Sequence, residues 1–223
     1  LDWNQLTILD ISQNRNISPI EGAFAARNNF LEQLIVPDQP NLTIFLDAYE
    51  EQDPITGYDK VEWYLDQDFS QKVEGDLSAT GQTLYAKRIP NNYRIYFSNN
   101  GGKGSMDGIS VVYGEEIVLP QVNFTRLGYT FDRWNTLSNG YGNFYEDQQT
   151  VLNLAGKSND ERITLYAQWK PIEYKIAFDA NHPSAKGNMD EITAVYDREV
   201  TLPAVEFEVD DLEFAGWARE KDG

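Results

Sequence analysis

Residues 111–120 read VVYGEEIVLP, and residues 194–203 read AVYDREVTLP. Two stretches this alike, 83 residues apart, identify an internal repeat, which governs how the rest of the chain is read. At the same offset Phe124 falls on Phe207, Phe131 on Phe214 and Trp134 on Trp217. Upstream the offset is 81, with Tyr93-Arg-Ile-Tyr-Phe97 on Tyr174-Lys-Ile-Ala-Phe178. Two residues are therefore inserted between Phe178 and Met189, in the loop NHPSAKGN. A polar Gly/Pro loop at the surface tolerates such an insertion. TLYAKR at 83–88 realigns with TLYAQW at 164–169, again at 81, and each is followed by a proline, Pro90 or Pro171, and then by Tyr93 or Tyr174. A joint of constant length containing a fixed-φ residue reads as a stiff connection between copies.

The repeating unit is thus about 81 residues, from Tyr93 to Pro171. It runs through an alternating strand, a Gly-rich turn at Asn99–Gly104, and a strand into Val112-Tyr113-Gly114. A strand ending at Leu119-Pro120 follows, then a Gly-Tyr-x-Phe-x-x-Trp segment, a polar loop and the strand TLYAQW. Short aromatic and β-branched runs between Gly and Pro turns predict strands. No long 3.6-residue period occurs, so at most one short helix fits. Alternation places Tyr93, Ile95, Phe97, Phe131, Trp134, Leu165 and Trp169 on the inward face.

The outer segments depart from this unit. Gly57-Tyr58, Trp63-Tyr64, Phe69 and TLYAKR match its second half, so residues 42–89 read as a shortened repeat or junction module. Residues 171–223 match the first half through Trp217, but Asp211-Leu212 replaces Gly-Tyr and no stretch there matches TLYAQW. Residues 1–41 carry another pattern: Leu6-x-x-Leu9-x-Ile11-x-x-Asn14-x-x-Ile17, then Leu31-x-x-Leu34-x-Val36 25 residues later. That spacing fits leucine-rich repeats, and Glu21-Gly-Ala-Phe24 resembles their extracellular turn. Two such repeats cannot bury a solenoid core alone, so residues 1–41 read as C-terminal leucine-rich repeats or a cap on the next domain.

The ordered motifs YRIYFSNNGGKGSM, VVYGEEIVLP, FTRLGYTFDRWNT and ITLYAQW resemble the internalin B repeat, also called the Listeria–Bacteroides repeat. Residues 93–169 follow that family's pattern nearly throughout, with Arg133 standing where the family usually has glycine. The resemblance implies a mainly β (α+β) architecture of tandem small β-grasp-like domains, in which the last strand lies beside the first. It implies also a bacterial cell-surface protein, extracellular or wall-attached, whose repeats space or present the leucine-rich module. The expected partner is a host or environmental protein or glycan. In the competing reading the repeats themselves bind carbohydrate or protein.

Composition narrows the alternatives. The 223 residues carry a formal net charge of −18, which argues against nucleic acid and anionic lipid as partners. The longest apolar runs, such as residues 42–46, are too short to span a bilayer. The chain has no cysteine, hence no disulfide, thiolate metal site or cysteine nucleophile. Residues 90–170 hold eight acids against seven bases and residues 171–223 thirteen against five, so copies sharing one core differ at the surface. An acidic strand face also discourages edge pairing between neighbours.

No constellation of catalytic or cofactor-binding residues emerges, and the chain reads as non-enzymatic. His182 is the one histidine and lies in the inserted loop, where a His-Ser-Asp arrangement competes with an ordinary loop histidine. The acid pairs Glu50-Glu51, Glu115-Glu116 and Asp210-Asp211 select no cleft in which a glycosidase pair would stand. Asp66-Gln-Asp68 and Asp107 offer oxygens to calcium, but no D-x-D-x-D-G loop accompanies them, and they read as solvated surface. Asn99-Asn100-Gly101-Gly102-Lys103-Gly104 lacks the Gly-Lys-Ser/Thr and following helix of a phosphate loop, and reads as a hairpin turn. The recurring Trp134 and Trp217, with Tyr129, Phe131 and Phe214, read as core rather than as glycan platforms. Sequons at Asn16, Asn41 and Asn123 occur at chance frequency.

Overall fold

The computed structural model of the chain describes residues 6–14, 31–44, 46 and 56–221. Every regular element among them is a strand; no helix is present among the described residues. Six strands precede the complete copy: β1 (Ile8–Asp10), β2 (Gln33–Ile35), β3 (Asp38–Ile44), β4 (Tyr58–Tyr64), β5 (Leu77–Thr80) and β6 (Thr83–Pro90). The complete copy supplies β7 (Asn92–Ser98), β8 (Ile109–Val112), β9 (Glu116–Val118), β10 (Tyr129–Asn135), β11 (Phe144–Tyr145), β12 (Thr150–Leu152) and β13 (Glu161–Pro171). The third copy contributes β14 (Glu173–Ile176) and β15 (Ile192–Val195). These lengths fit residues whose β-branched and aromatic side chains suit a pleated surface, cut by turns that need left-handed backbone. Residues 17, 21–24 and 50–51, and the sequon at Asn16, lie outside the described residues.

The chain divides into two compact units, one of residues 1–98, 106–121 and 147–165 and the other of residues 99–105, 122–146 and 166–223. In the first unit β1 and β2 run parallel, with Ile8 opposite Gln33 and Asp10 opposite Ile35. The register therefore equals the 25-residue spacing of the leucine pattern. β2 then pairs antiparallel with β6, and β6 with β4, giving the order β1-β2-β6-β4. β3 and β5 form a separate antiparallel pair. Ile11, Leu31, Leu34, Val36, Leu42, Ile44, Leu46, Trp63, Ala79 and Leu84 make one buried cluster. The expected boundary between residues 41 and 42 falls inside β3, and residues on both sides of it share this cluster. The leucine-patterned strands and the strands that follow residue 42 thus bury their apolar side chains in one common core.

Also in the first unit, β7 pairs antiparallel with β8, Tyr93 opposite Val111 and Ile95 opposite Ile109. β9 pairs with β12, Val118 opposite Thr150. The residues of β13 up to Leu165 belong here, and the hydrogen-bonded order is β13-β7-β8. The last strand of the complete copy thus stands beside its first. Tyr93, Ile95, Val111, Leu119, Val151 and Leu165 are buried.

In the second unit β10 pairs antiparallel with β11 and with β13, Trp134 facing Ala167 and Asn135 facing Tyr166. In the first unit β4 and β6 pair with the same register, Trp63 facing Ala86 and Tyr64 facing Tyr85. β14 and β15 pair as β7 and β8 do, Tyr174 opposite Ala194, and among the described residues they form a two-stranded sheet.

Candidate functional site

The recurring aromatics of the complete copy centre on β10, YTFDRWN. Trp134 is 0% exposed. Phe124 meets its ring edge-on at 5.9 Å and Phe131 at 5.0 Å, and Phe131 in turn meets Trp169 at 6.2 Å. Such edge-to-face packing places the positive rim of one ring on the negative face of the next. Of the seven residues expected inside, Tyr93, Ile95, Trp134 and Leu165 are fully buried; Phe97, Phe131 and Trp169 are half-buried. The third copy builds the same cage, Phe178, Phe207 and Phe214 lying 4.9, 6.3 and 4.9 Å from Trp217, but Phe214 is exposed.

The Gly-rich turn serves this packing. Trp169 Nε1 donates to the Asn99 carbonyl at 2.9 Å, and the Lys103 and Thr125 backbones exchange hydrogen bonds at 2.7 and 3.0 Å. A Cβ on Gly102 would sit 2.6 Å from the Trp169 ring and 2.8 Å from the Thr125 carbonyl, so only glycine fits there. The turn cradles an indole ring.

A second feature stands at Asn91, just ahead of the complete copy, and again at Ile172, just ahead of the third. The Asn91 N–H donates to the Gly57 carbonyl at 2.8 Å, and the Tyr113 N–H to the Asn91 carbonyl at 2.9 Å. One copy later, Ile172 donates to Gly128 and Tyr196 to Ile172, both at 3.0 Å. Tyr58 and Tyr113 pack edge-to-face at 6.0 Å, as do Tyr129 and Tyr196 at 5.7 Å. In the second joint Arg126 also stacks on Tyr129 at 4.0 Å, and Tyr129 Oη donates to Asp197 Oδ2 at 2.9 Å. These contacts were not foreseen from the sequence. Its only signal was that the tyrosines and glycines recur, and their pairing crosses more than fifty residues.

The hydrogen bond to Asp197, together with burial, holds the Tyr129 phenol above its ordinary value. A raised phenol contributes stability that is complete below about pH 10 and is lost as pH rises through the folded-state value. Urea denaturation from neutral to strongly alkaline pH should therefore show a loss of stability that is smaller in Asp197→Asn. Parallel losses in the two proteins would remove the hydrogen bond from the account.

His182 is exposed, and its Nδ1 accepts from the Ser184 backbone at 3.3 Å, two residues on. Asp66 accepts from the Ser70 and Gln71 backbones at 2.9 and 2.8 Å, closing its own loop, and these bonds hold its carboxyl below the usual range. Lys186 pairs with Asp210 at 3.0 Å, both exposed. Glu115 and Glu116 are exposed at the turn into β9. Among the described residues no group of three or more His, Asp or Glu is placed to hold a metal ion.

One exposed apolar surface stands out. Asn135 is buried, and its Oδ1 accepts from the Leu137 and Gly142 N–H groups while its Nδ2 donates to the Gly140 and Gly142 carbonyls. The loop so fixed leaves Leu137, Tyr141 and Phe144 in solvent, Tyr141 at 89% exposure.

The profile of the Listeria-Bacteroides repeat domain matches residues 93–168 and 174–223, more than half of the chain. The chain belongs to the Listeria-Bacteroides repeat family. Repeats of this family are found in bacterial surface proteins. Two relatives come from Evansella cellulosilytica. One, named as a Gly-rich membrane protein, is 31% identical over 148 residues, 65% of this chain and 16% of its own length. The other, named as a membrane protein, is 30% identical over 126 residues, 54% of this chain and 18% of its own. The chain thus spans less than a fifth of either relative. No solved structure matches it. Among the described residues no helix is long and apolar enough to cross a membrane.

Proposed function

We propose that this chain is a non-enzymatic, extracellular part of a bacterial surface protein, whose β-grasp-like repeats of the internalin B type space a leucine-rich module outward from the envelope. The observation that carries this reading is the inward packing of the recurring aromatics. Rings spent on the core of a copy are unavailable to a ligand, and what recurs between copies is the core and the joint rather than a surface. The parallel register of β1 and β2 at the 25-residue spacing supports the leucine-rich reading of residues 1–41. The position of β13 beside β7 supports the β-grasp-like one. The partner is a host or environmental protein or glycan.

A second reading is favoured by one observation, the loop that Asn135 holds with Leu137, Tyr141 and Phe144 exposed. A preorganised aromatic surface of this kind suits a protein or glycan ligand. Binding of the protein to host-cell and polysaccharide surfaces separates the two. Spacing requires that binding survive Tyr141→Ser with Phe144→Ser and be lost when the exposed face of the leucine-patterned strands is altered. The reverse result would make the repeats themselves the binding module.

A further inference from the structure

The two joints share a contact that backbone hydrogen bonding alone does not explain. Gly57 has φ +100° and Gly128 φ +77°. A Cβ on Gly57 would overlap the ring of Tyr113, and a Cβ on Gly128 the ring of Tyr196. Each glycine is therefore doubly selected, by a left-handed backbone and by an aromatic ring lying flush on its bare Cα. The tyrosine comes from the Val-Tyr-Gly/Asp turn of one copy, the glycine from the Gly-Tyr segment of the copy before it. The complete copy thus presents Tyr113 on its N-terminal side and the bare Gly128 on its C-terminal side.

The third copy keeps the first element and loses the second. Tyr196 is in place on Gly128, but the position equivalent to Gly57 and Gly128 is Asp211. Asp211 has φ +66°, so the left-handed turn persists with a carboxylate side chain on it. Asp and Asn are the residues that tolerate this conformation best after glycine. Leu212 replaces the stacking partner supplied by Tyr58 and Tyr129 and is exposed. The backbone of the acceptor is thus retained while the surface that receives a tyrosine is filled.

We propose that the glycine of the Gly-Tyr segment is the specificity-determining residue for docking of the next copy, the tyrosine of the Val-Tyr turn being its complement, and that Asp211 closes the third copy to a successor of the same type. The docking partner is a repeat of this family, recognised by a ring on a Cα that carries no side chain. The inference stands on the two joints and holds whether or not the array acts as a spacer.

The test places the third copy's residue in the second copy's acceptor. Gly128→Asp in the full chain tolerates the backbone, as Asp211 does, but drives the carboxylate into the Tyr196 ring. Gly114→Asp is the matched control. Gly114 has φ +88° with nothing within 4 Å of its added Cβ, and the third copy already carries Asp197 at the equivalent position. Two NMR readouts report the joint: the ring-current displacement of the Gly128 Hα resonance by Tyr196 in the native chain, and residual dipolar couplings of β10 and of the β14–β15 pair. In the native chain one alignment tensor should fit both sets, and the Gly128 Hα should move back toward its unperturbed position in Tyr196→Leu. In Gly128→Asp the two sets should require separate tensors while the Gly57 resonance stays displaced by Tyr113. Gly114→Asp should leave the second joint native. A single tensor in Gly128→Asp would overturn the proposal. So would separate tensors in the native chain, or equal uncoupling by Gly114→Asp, which would trace the effect to backbone strain.

Discussion

Replacing Trp134 by alanine is expected to destabilise the complete copy by about 3–5 kcal/mol, as for other large core aromatics. Trp134 lies on β10 opposite Ala167, with no exposed surface, and meets Phe124 and Phe131 edge-on. Truncation removes a ring with no solvent exposure and leaves a cavity lined in part by the Phe124 and Phe131 rings, in a close-packed interior that relaxes little. A loss of this size lowers the melting temperature on the order of 10 °C in a chain of this length. Trp217 is the internal comparison. It occupies the equivalent place in the third copy but keeps some solvent contact, so Trp217→Ala should cost clearly less. An unchanged melting temperature for Trp134→Ala would remove this ring from the core; equal costs at the two positions would show that burial does not set the difference.

Amide exchange should separate the first strands of the second and third copies by at least about tenfold. β7 has hydrogen-bonded neighbours on both sides, β8 and β13, whereas β14 has β15 alone. The side chains agree with this difference: Tyr93 is 2% exposed and Tyr174, its counterpart, 43%. Leu119 is buried, and its counterpart Leu202 is exposed. Among the described residues β14 has a strand on one side only, and an open strand edge invites pairing with another chain. Amides of Glu173–Ile176 should therefore exchange faster than those of Tyr93–Phe97 in this chain. Equal protection in a monomer would mean that the third copy closes its sheet without a counterpart of β13, and the alignment of the repeat would be wrong.

Much of this architecture could be read before any coordinates. The offsets of 81 and 83 placed the copies, and alternation along YRIYF and TLYAQW put Tyr93, Ile95 and Leu165 inside. Strand periodicity and turn chemistry are local properties, encoded over two to ten residues, so a single chain displays them directly. The motifs in order also carried the family. Three findings were not available at that level. Residues 1–41 and the residues after them share one core in which β2 stands beside β6. The glycines at 57 and 128 receive the tyrosines at 113 and 196. The loop beyond Asn135 is fixed by one buried amide and leaves Tyr141 in solvent. Each of these joins residues distant in sequence, or depends on which face of a strand meets solvent once the sheet has closed. The sequence by itself determined the repeat, its strands and the inward face of the complete copy, because pattern and turn residues act locally. Only the tertiary structure decided that the leucine-patterned strands share a core with the strands after them and how the third copy is seated on the second, because packing complementarity exists only between surfaces that folding has brought together.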